Sequence, residues 1–290
     1  MVHIIYMNGG LGNQLFQYIF YRWYRKLLPQ VNIVIDDGKF WGNDVPHHGY
    51  ELERIFGLDL PFLSRLFTPD VWEHMVNMRQ QGLDIPEQLR MNGLPLRAIR
   101  EKGITNINFS GDIRDFAVGD ALEVGINENI YWHGYWLTDS FYKQISKELK
   151  KELVFPSFDD ILNIQVQEKI NIANEPTAIH IRRGDMVTLG WAAEPAYYKQ
   201  TIGDFDRAHE VSLYLLFSDD IPWCEENAEE LGLLDISDRL LVVDNNQGDD
   251  YWRDLQLMSL CKNRISDRSS FSLLAGLLCS YIGKQDINNW

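Results

Sequence analysis

Two arginines stand side by side in His180-Ile181-Arg182-Arg183-Gly184-Asp185, where the strand-length run Thr177 to Arg182 closes. A guanidinium is a planar fork of donors that matches phosphate or carboxylate oxygens. The pair could therefore neutralise an anionic ligand, a diphosphate leaving group included. The lesser alternative is an ion-pair cluster with neighbouring carboxylates. Alternation along a strand points His180 and Arg182 one way and Arg183 the other, which makes Arg182 the ligand-facing arginine and Arg183 a structural one. Charge gives the pair weight: residues 1–150 hold 15 Lys+Arg against 18 Asp+Glu, residues 151–290 hold 12 against 24, and the chain totals 27 − 42 = −15. Two adjacent cations run against the trend of their own half.

Three further clusters could do chemistry. Gly9-Gly10-Leu11-Gly12-Asn13-Gln14 lies between a strand pattern and a helix pattern. Glycines there let backbone approach a ligand and leave helix N–H groups open to an anion, or else they simply make a tight turn. Neither a dinucleotide fingerprint nor a P-loop is present, because the third glycine of the first and the Gly-Lys-Ser/Thr of the second are missing. Phe217-Ser218-Asp219-Asp220 closes another strand pattern ahead of Ile221-Pro222. Its carboxylates could accept hydrogen bonds from a base or ribose, or Asp220 could cap a helix that has proline in its first turn. The third cluster runs from Asp254 to Ser272 and contains Lys262, Arg264, Arg268, Ser269, Ser270 and Phe271. With the serines at a helix start, these bases group with Arg182 and Arg183 into one expected phosphate site. Metal chemistry has little behind it: Asp204-Phe205-Asp206 precedes its strand instead of following it, and His47-His48 lacks a partner at ligand spacing. No G-x-S-x-G supports a serine hydrolase.

The elements that must carry these clusters alternate. Val2 to Met7 reads as a strand buried on both faces, followed by the glycine turn and a helix with Leu15, Phe16, Ile19, Phe20, Trp23 and Leu27 at helical spacing. Val31 to Ile35 is a second strand. Residues 40–128 show short helical patterns such as Asp70 to Arg79 and no firm elements. Ile130 to His133 resumes as a strand and Ser140 to Leu149 as a helix. In the second half the strand runs are Thr177 to Arg182, Val211 to Phe217, Arg239 to Val243 and Arg264 to Ser266. Helical patterns over Pro195–Ala208, Pro222–Leu231, Asp250–Leu260 and Ser269–Cys279 follow them. Alternation of this kind predicts an α/β fold with parallel sheets, and the joint is expected between 152 and 176.

Composition bounds the rest. A chain of 290 residues with 45% hydrophobic residues has material for two cores. Its acidity argues against a nucleic-acid partner. The three cysteines, Cys224, Cys261 and Cys279, form neither a disulfide framework nor a zinc spacing, which fits a reducing compartment. No stretch reaches the length of a membrane span. The expected location is the cytoplasm, including the periphery of the inner membrane. Trp132, Trp136 and Trp191 lie near the motifs and could stack on sugars, although core packing is their ordinary role.

Taken in order, Gly9 to Tyr18, Gly134-Tyr135-Trp136, His180 to Asp185, Glu194-Pro195 with Tyr197-Tyr198, Phe217 to Trp223 and Asp254 to Leu278 resemble the α-1,2-fucosyltransferases of glycosyltransferase family 11, bacterial type. The resemblance implies a GT-B-like α/β architecture of two Rossmann-like domains with a central cleft. The expected domains are an acceptor-side domain over 1–152 and a nucleotide-sugar-binding domain over 153–290. It implies inverting, metal-independent transfer of L-fucose from GDP-fucose, which is a donor substrate and not a cofactor. The acceptor would be a galactose-containing oligosaccharide or lipid-linked glycan of the bacterial surface. By the same resemblance Arg182 faces the β-phosphate, with Ser269, Ser270 and Phe271 supplying backbone amides and Arg183 and Arg268 adding charge. His180, Asp219 and Asp220 take the guanosine; Gly10, Gly12 and Asn13 approach the fucose or phosphate. Asp185 or Glu194 is the catalytic base. The family run Asn-Ser-Ser/Thr-Phe-Ser-Trp-Trp-Gly reads Arg268-Ser269-Ser270-Phe271-Ser272-Leu273-Leu274-Ala275 here. That departure keeps two other readings open: a transferase with another donor or linkage, and a sugar-binding relative without catalysis.

Overall fold

The run Val2–Tyr6 (β1) is an interior strand of a five-stranded parallel sheet in the order β2-β1-β5-β3-β4. Its partners are Asn32–Asp36 (β2), Leu96–Glu101 (β3), Ile113–Phe116 (β4) and Asn129–His133 (β5). The computed structural model describes residues 1–120, 122 and 124–288. The chain divides into two compact units, Met1–Phe155 and Pro156–Trp290.

In the first unit Ile4 pairs with Val34 on one side and Tyr131 on the other, and β5 is buried along its whole length. A strand enclosed this way must be apolar on both faces, as the composition of β1 is. One face receives Trp72, Met75, Val76 and Ile85, from the helices Pro69–Gln80 and Ile85–Met91. The helix Leu11–Leu27 carries Phe20 and Tyr24 against Trp132, with the Phe20 ring stacked 4.3 Å from Trp136. Trp132 and Trp136 are fully buried, so both tryptophans are core residues, whereas Trp191 is exposed. The helix Asp139–Glu152, capped by Thr138, returns alongside and accepts Tyr18 and Arg22 at Glu152 (Tyr18 Oη to Oε2, 2.7 Å).

The second unit repeats the plan with the order β10-β9-β6-β7-β8, again all parallel. Thr177–Ile181 (β6) is central and wholly buried, flanked by Tyr214–Ser218 (β7), Leu240–Val242 (β8), Asn263–Ser266 (β9) and Gln285–Ile287 (β10). Ile179, Ile181, Leu216 and Ile265 pack with Tyr198, Ile202 and Phe205 of the helix Pro195–Ala208. Full burial of each aliphatic side chain contributes about 1.5–3 kcal/mol.

The predicted α/β alternation is what the structure shows, with differences at particular elements. The described residues of 40–128 hold β3, β4 and three α-helices, where no firm elements were expected. Part of the expected joint, Ile161–Ile172, is a helix of the second unit capped by Asp160. The helical pattern Pro222–Leu231 yields only Ile221–Glu226, and β10 had no forerunner in the sequence reading.

Candidate active site

Open parallel sheets bind ligands beyond the carboxyl ends of their strands, at the point where chain order reverses. In the second unit that point is β6, with β7 on one side and β9 on the other. Arg182 follows β6 directly and is 30% exposed. Its Nη2 donates to Asp185 Oδ1 at 2.6 Å, and its Nη1 meets Asp219 Oδ2 at 2.8 Å. Asp219, at the end of β7, also accepts the Arg183 amide at 2.7 Å through Oδ1. One carboxylate thus fixes both the turn and the guanidinium. A Cβ on Gly184 would sit 2.6 Å from Asp219 Oδ2, so the turn has room only for glycine in this arrangement.

Arg183 turns the other way and lays its guanidinium 3.5 Å over the Trp223 ring. Asp220 caps the helix Ile221–Glu226, accepting the Trp223 amide at 3.2 Å, with Pro222 in the first turn. The capping alternative for Asp220 is therefore realised. His180 is buried with Nδ1 unpartnered and its ring 5.9 Å from Phe271. Burial, with Arg182 adding to it, pushes this imidazole down to about 3, so it is neutral at pH 7.

The end of β9 completes this edge. Ser269 caps the helix Ser270–Leu278 by accepting the Ser272 amide at 3.3 Å, and the amides of Ser270 and Phe271 come before the first intrahelical bond. Arg268 is exposed at the same turn. Glu194 is exposed at the start of the helix Pro195–Ala208. That start is anchored to the edge by Tyr197, whose hydroxyl donates to the Ser266 carbonyl at 2.8 Å, and by Tyr198, which donates to His180 at 3.3 Å. Asp267 lies inside the third sequence cluster, where no role was assigned to it. Its carboxylate is 1% exposed, and burial pushes it up to about 6 against the pull of the nearby Tyr198 hydroxyl and Arg182 amide.

Two bases leave the expected phosphate cluster. Arg264 is 1% exposed, pairs with Asp286 of β10 and donates to the Cys261 carbonyl at 2.8 Å. Lys262 pairs with Glu175, ahead of β6. The physical reason is strand length. Lys262 precedes β9 while Arg268 follows it, and at about 3.3 Å per residue this separates the two ends of the sheet. The D-x-D is also engaged: Asp204 pairs with Arg207, and Asp206 with Arg239 and the Tyr214 hydroxyl.

The first unit places its glycine loop at its own reversal point, after β1. Gly9 has φ 86°, and a Cβ on it would lie 2.5 Å from Asn13 Nδ2. Gly10 is the first residue before the helix, Gly12 is buried in its first turn, and Asn13 is half-buried. Two buried glutamines staple this loop. Gln14 donates to the carbonyls of Gly9 (2.8 Å) and Gly49 (2.7 Å) and accepts the Glu51 amide. Gln17 accepts the Asn8 amide and donates to the Gly134 carbonyl, both at 3.0 Å, which joins the ends of β1 and β5. Beside it, Glu101 Oε2 accepts the amides of Tyr135 (2.7 Å) and Trp136 (2.9 Å). No described helix is long and apolar enough to cross a membrane.

The sequence profile of glycosyl transferase family 11 matches residues 111–285. Across 92% of this chain and 86% of the relative, the sequence is 26% identical to the O-antigen biosynthesis glycosyltransferase WbnK of Escherichia coli. It is 24% identical to an alpha-1,2-colitosyltransferase of Escherichia coli, over 95% of this chain and 87% of that one. The crystal structure of fucosyltransferase NodZ from Bradyrhizobium shares the fold, with a TM-score of 0.53 over 96% of this chain and 92% of NodZ at 12% identity.

Proposed function

Because the chain belongs to glycosyl transferase family 11, we propose that it transfers L-fucose from GDP-fucose to a galactosyl hydroxyl of a glycan, forming an α-1,2 linkage with inversion and without a metal ion. The observation that carries the reading is Arg182, held by Asp219 at the reversal point of the second sheet, beside the open amides of Ser270 and Phe271. In this reading the second unit is the nucleotide-sugar side and the first the acceptor side. The motif resemblance and the kinship with an alpha-1,2-colitosyltransferase support the linkage.

An acceptor oxygen attacks the fucose anomeric carbon as the bond from that carbon to the β-phosphate oxygen breaks, through an oxocarbenium-like state. GDP leaves with the bonding pair. Negative charge grows on the diphosphate in the transition state, so a preorganised guanidinium and helix amides stabilise that state more than the bound substrate. Arg182 has more donors than its two carboxylates use, and phosphate oxygens can displace exposed Asp185 while Asp219 keeps the guanidinium in place. His180 and Asp219 form the guanosine side, with Asp220 as helix cap and Arg183 stacked on Trp223 supporting that edge; Arg268 and Ser269 form the phosphate side, and Gly10, Gly12 and Asn13 approach the sugar. The acceptor proton goes to Asp185 or Glu194. Asp185 becomes available when phosphate takes its place on Arg182, and Glu194 is exposed at the start of its helix.

A second reading keeps the chemistry and changes the donor sugar, on the strength of the colitosyltransferase relative and of Arg268, Leu273 and Leu274 in place of the family residues. A panel of nucleotide sugars that includes GDP-fucose and the colitosyl donor, run with a galactoside and followed by linkage analysis, decides between them. GDP release with a 1,2-linked fucoside is expected. Turnover with the colitosyl donor alone would select the second reading, and binding without any turnover would leave a sugar-binding relative.

A further inference from the structure

A cavity of about 250 Å³ lies in the first unit at the carboxyl edge of its sheet, where β1, β2 and β5 end in Tyr6, Asp36 and His133. That volume is roughly eight waters' worth, room for one sugar ring. The wall has two characters. Tyr6, Ile85 and Pro86 offer apolar surface, and Lys39, Arg79, Asn106 and His133 stand around it with polar groups. A pyranose needs this pairing, since its C–H face packs on apolar side chains while its hydroxyls both donate and accept.

The polar groups are not all spent within the protein. His133 is 4% exposed, its Nε2 lies 3.2 Å from Asn106 Oδ1, and its Nδ1 has no partner. Burial, with Arg100 adding to it, pushes the ring down to about 4, so at pH 7 it is neutral and its edge beside Asn106 brings no charge to the cavity. Arg79, 6% exposed, grips Asp44 through both terminal nitrogens at 2.7 and 2.6 Å while its Nε stays unpartnered. A concave site with an apolar wall and a few convergent polar side chains, Lys39, Asn106 and His133, is the usual make-up of a small-molecule site. The charges also compensate: Lys39 lies 3.6 Å from Asp44, which it shares with Arg79, and the buried carboxyl of Asp36 accepts the Tyr131 hydroxyl at 2.6 Å and the Gly38 amide at 2.9 Å. Asp84 adds a further carboxylate to the lining, its Oδ2 accepting the Asn108 amide at 2.8 Å, so the cavity offers an anionic ligand no surplus of positive charge.

We propose that this cavity is the subsite for the acceptor's terminal sugar, a neutral hexopyranose whose hydroxyls are read by His133, Asn106 and Lys39. The inference rests on the transferase reading above and adds a place and a ligand class for the acceptor. Saturation-transfer NMR on the full chain with GDP present, using methyl β-galactopyranoside and methyl β-glucuronide, reads occupancy without turnover. Galactoside binding should weaken at least tenfold in Asn106→Ala and His133→Phe, the latter keeping a ring beside Tyr6, and measurably in the surface variant Lys39→Met. GDP affinity by calorimetry should stay within twofold in all three, and acceptor KM should rise in step with the loss of binding. Unchanged galactoside binding in Asn106→Ala and Lys39→Met overturns the subsite. So does a preference for the glucuronide, or a parallel loss of GDP affinity. If wild-type protein binds the galactoside in the variant-sensitive way and yet uses no GDP-fucose, the subsite stands and the donor reading falls.

Discussion

The two units share one sheet plan and differ in what holds the loops at its carboxyl edge. After β1 the loop is stapled by uncharged amides, Gln14 and Gln17, which satisfy backbone groups of Gly9, Gly49, Glu51, Asn8 and Gly134. After β6 it is held by charge, Arg182 between Asp185 and Asp219. An amide staple keeps one shape regardless of salt or of a ligand's charge. An ion-paired edge is different: its cation is already oriented and partly desolvated, and one carboxylate can be exchanged for a phosphate. The difference suits a polyhydroxyl ligand on one unit and a diphosphate on the other.

The hardest test of the charged side is Asp286→Ala, which strips the counter-charge from the Arg264 guanidinium, 1% exposed. Breaking a fully buried pair from one side costs about 3–5 kcal/mol; with Asp286 itself exposed the expected loss is about 2–3 kcal/mol, read as a lower urea midpoint. A loss below about 1 kcal/mol would mean that the carbonyls of Met258, Cys261 and Lys262 suffice, and that charge is dispensable in this unit's framework.

Next comes Arg182→Ala, expected to lower kcat by well over 100-fold, roughly 3 kcal/mol or more of transition-state stabilisation. Arg182→Lys should recover little of this because the planar fork is lost. Near-normal turnover in the alanine variant would remove the charged edge from catalysis.

The neutral side can be broken by pH. Burial raises the Asp36 carboxyl from 3.8 to about 6, against the pull of the Tyr131 hydroxyl and the Gly38 amide. The folded state therefore holds this proton at pH values where the unfolded chain has released it. The group's contribution to stability is greatest below pH 3.8 and is lost as pH rises through 6, by about 3 kcal/mol in total. Asp36→Asn should flatten that fall, so the variant's stability relative to wild type increases from pH 4 to pH 8. A constant difference across this range, by urea titration, would show that Asp36 carries no such linkage.

The smallest effect sharpens the contrast. Gln17→Ala leaves the Asn8 amide and the Gly134 carbonyl without their partner, a loss of about 1–3 kcal/mol in stability. Unlike a defect in an ion pair, it should not change with added salt. A salt-dependent loss would erase the distinction between the two edges.

Much of this was legible in the residues because each central strand is a short apolar run enclosed on both faces, and β1 and β6 announce themselves that way. The outer strands do not. In β3 the run Leu96-Arg97-Ala98-Ile99-Arg100-Glu101 breaks its apolar pattern with arginines that pair with Asp112, Glu128 and Asp115, partners contributed by β4 and the flanking loops. A local window sees only the charges. The same limit explains Lys262 and Arg264, which look like neighbours of Arg268 in sequence and lie toward the other end of the sheet. His133 was legible as a strand residue, but its cavity is assembled from residues 6 to 133, and no local spacing brings Tyr6, Arg79 and His133 together. The burial of Asp267 was invisible for another reason: a lone Asp in a polar turn looks solvated until the fold encloses it.

The pairing of Arg264 with Asp286 also sets an order of events during synthesis. Arg264 lies in the core of the second unit, while its counter-charge comes 22 residues later, on the strand that joins the sheet last in chain order. A growing chain that has released Arg264 but not Asp286 holds that cation by the carbonyls of Met258, Cys261 and Lys262 alone, and the counter-charge arrives last. The first unit, complete by Phe155, has all its own partners well before that point.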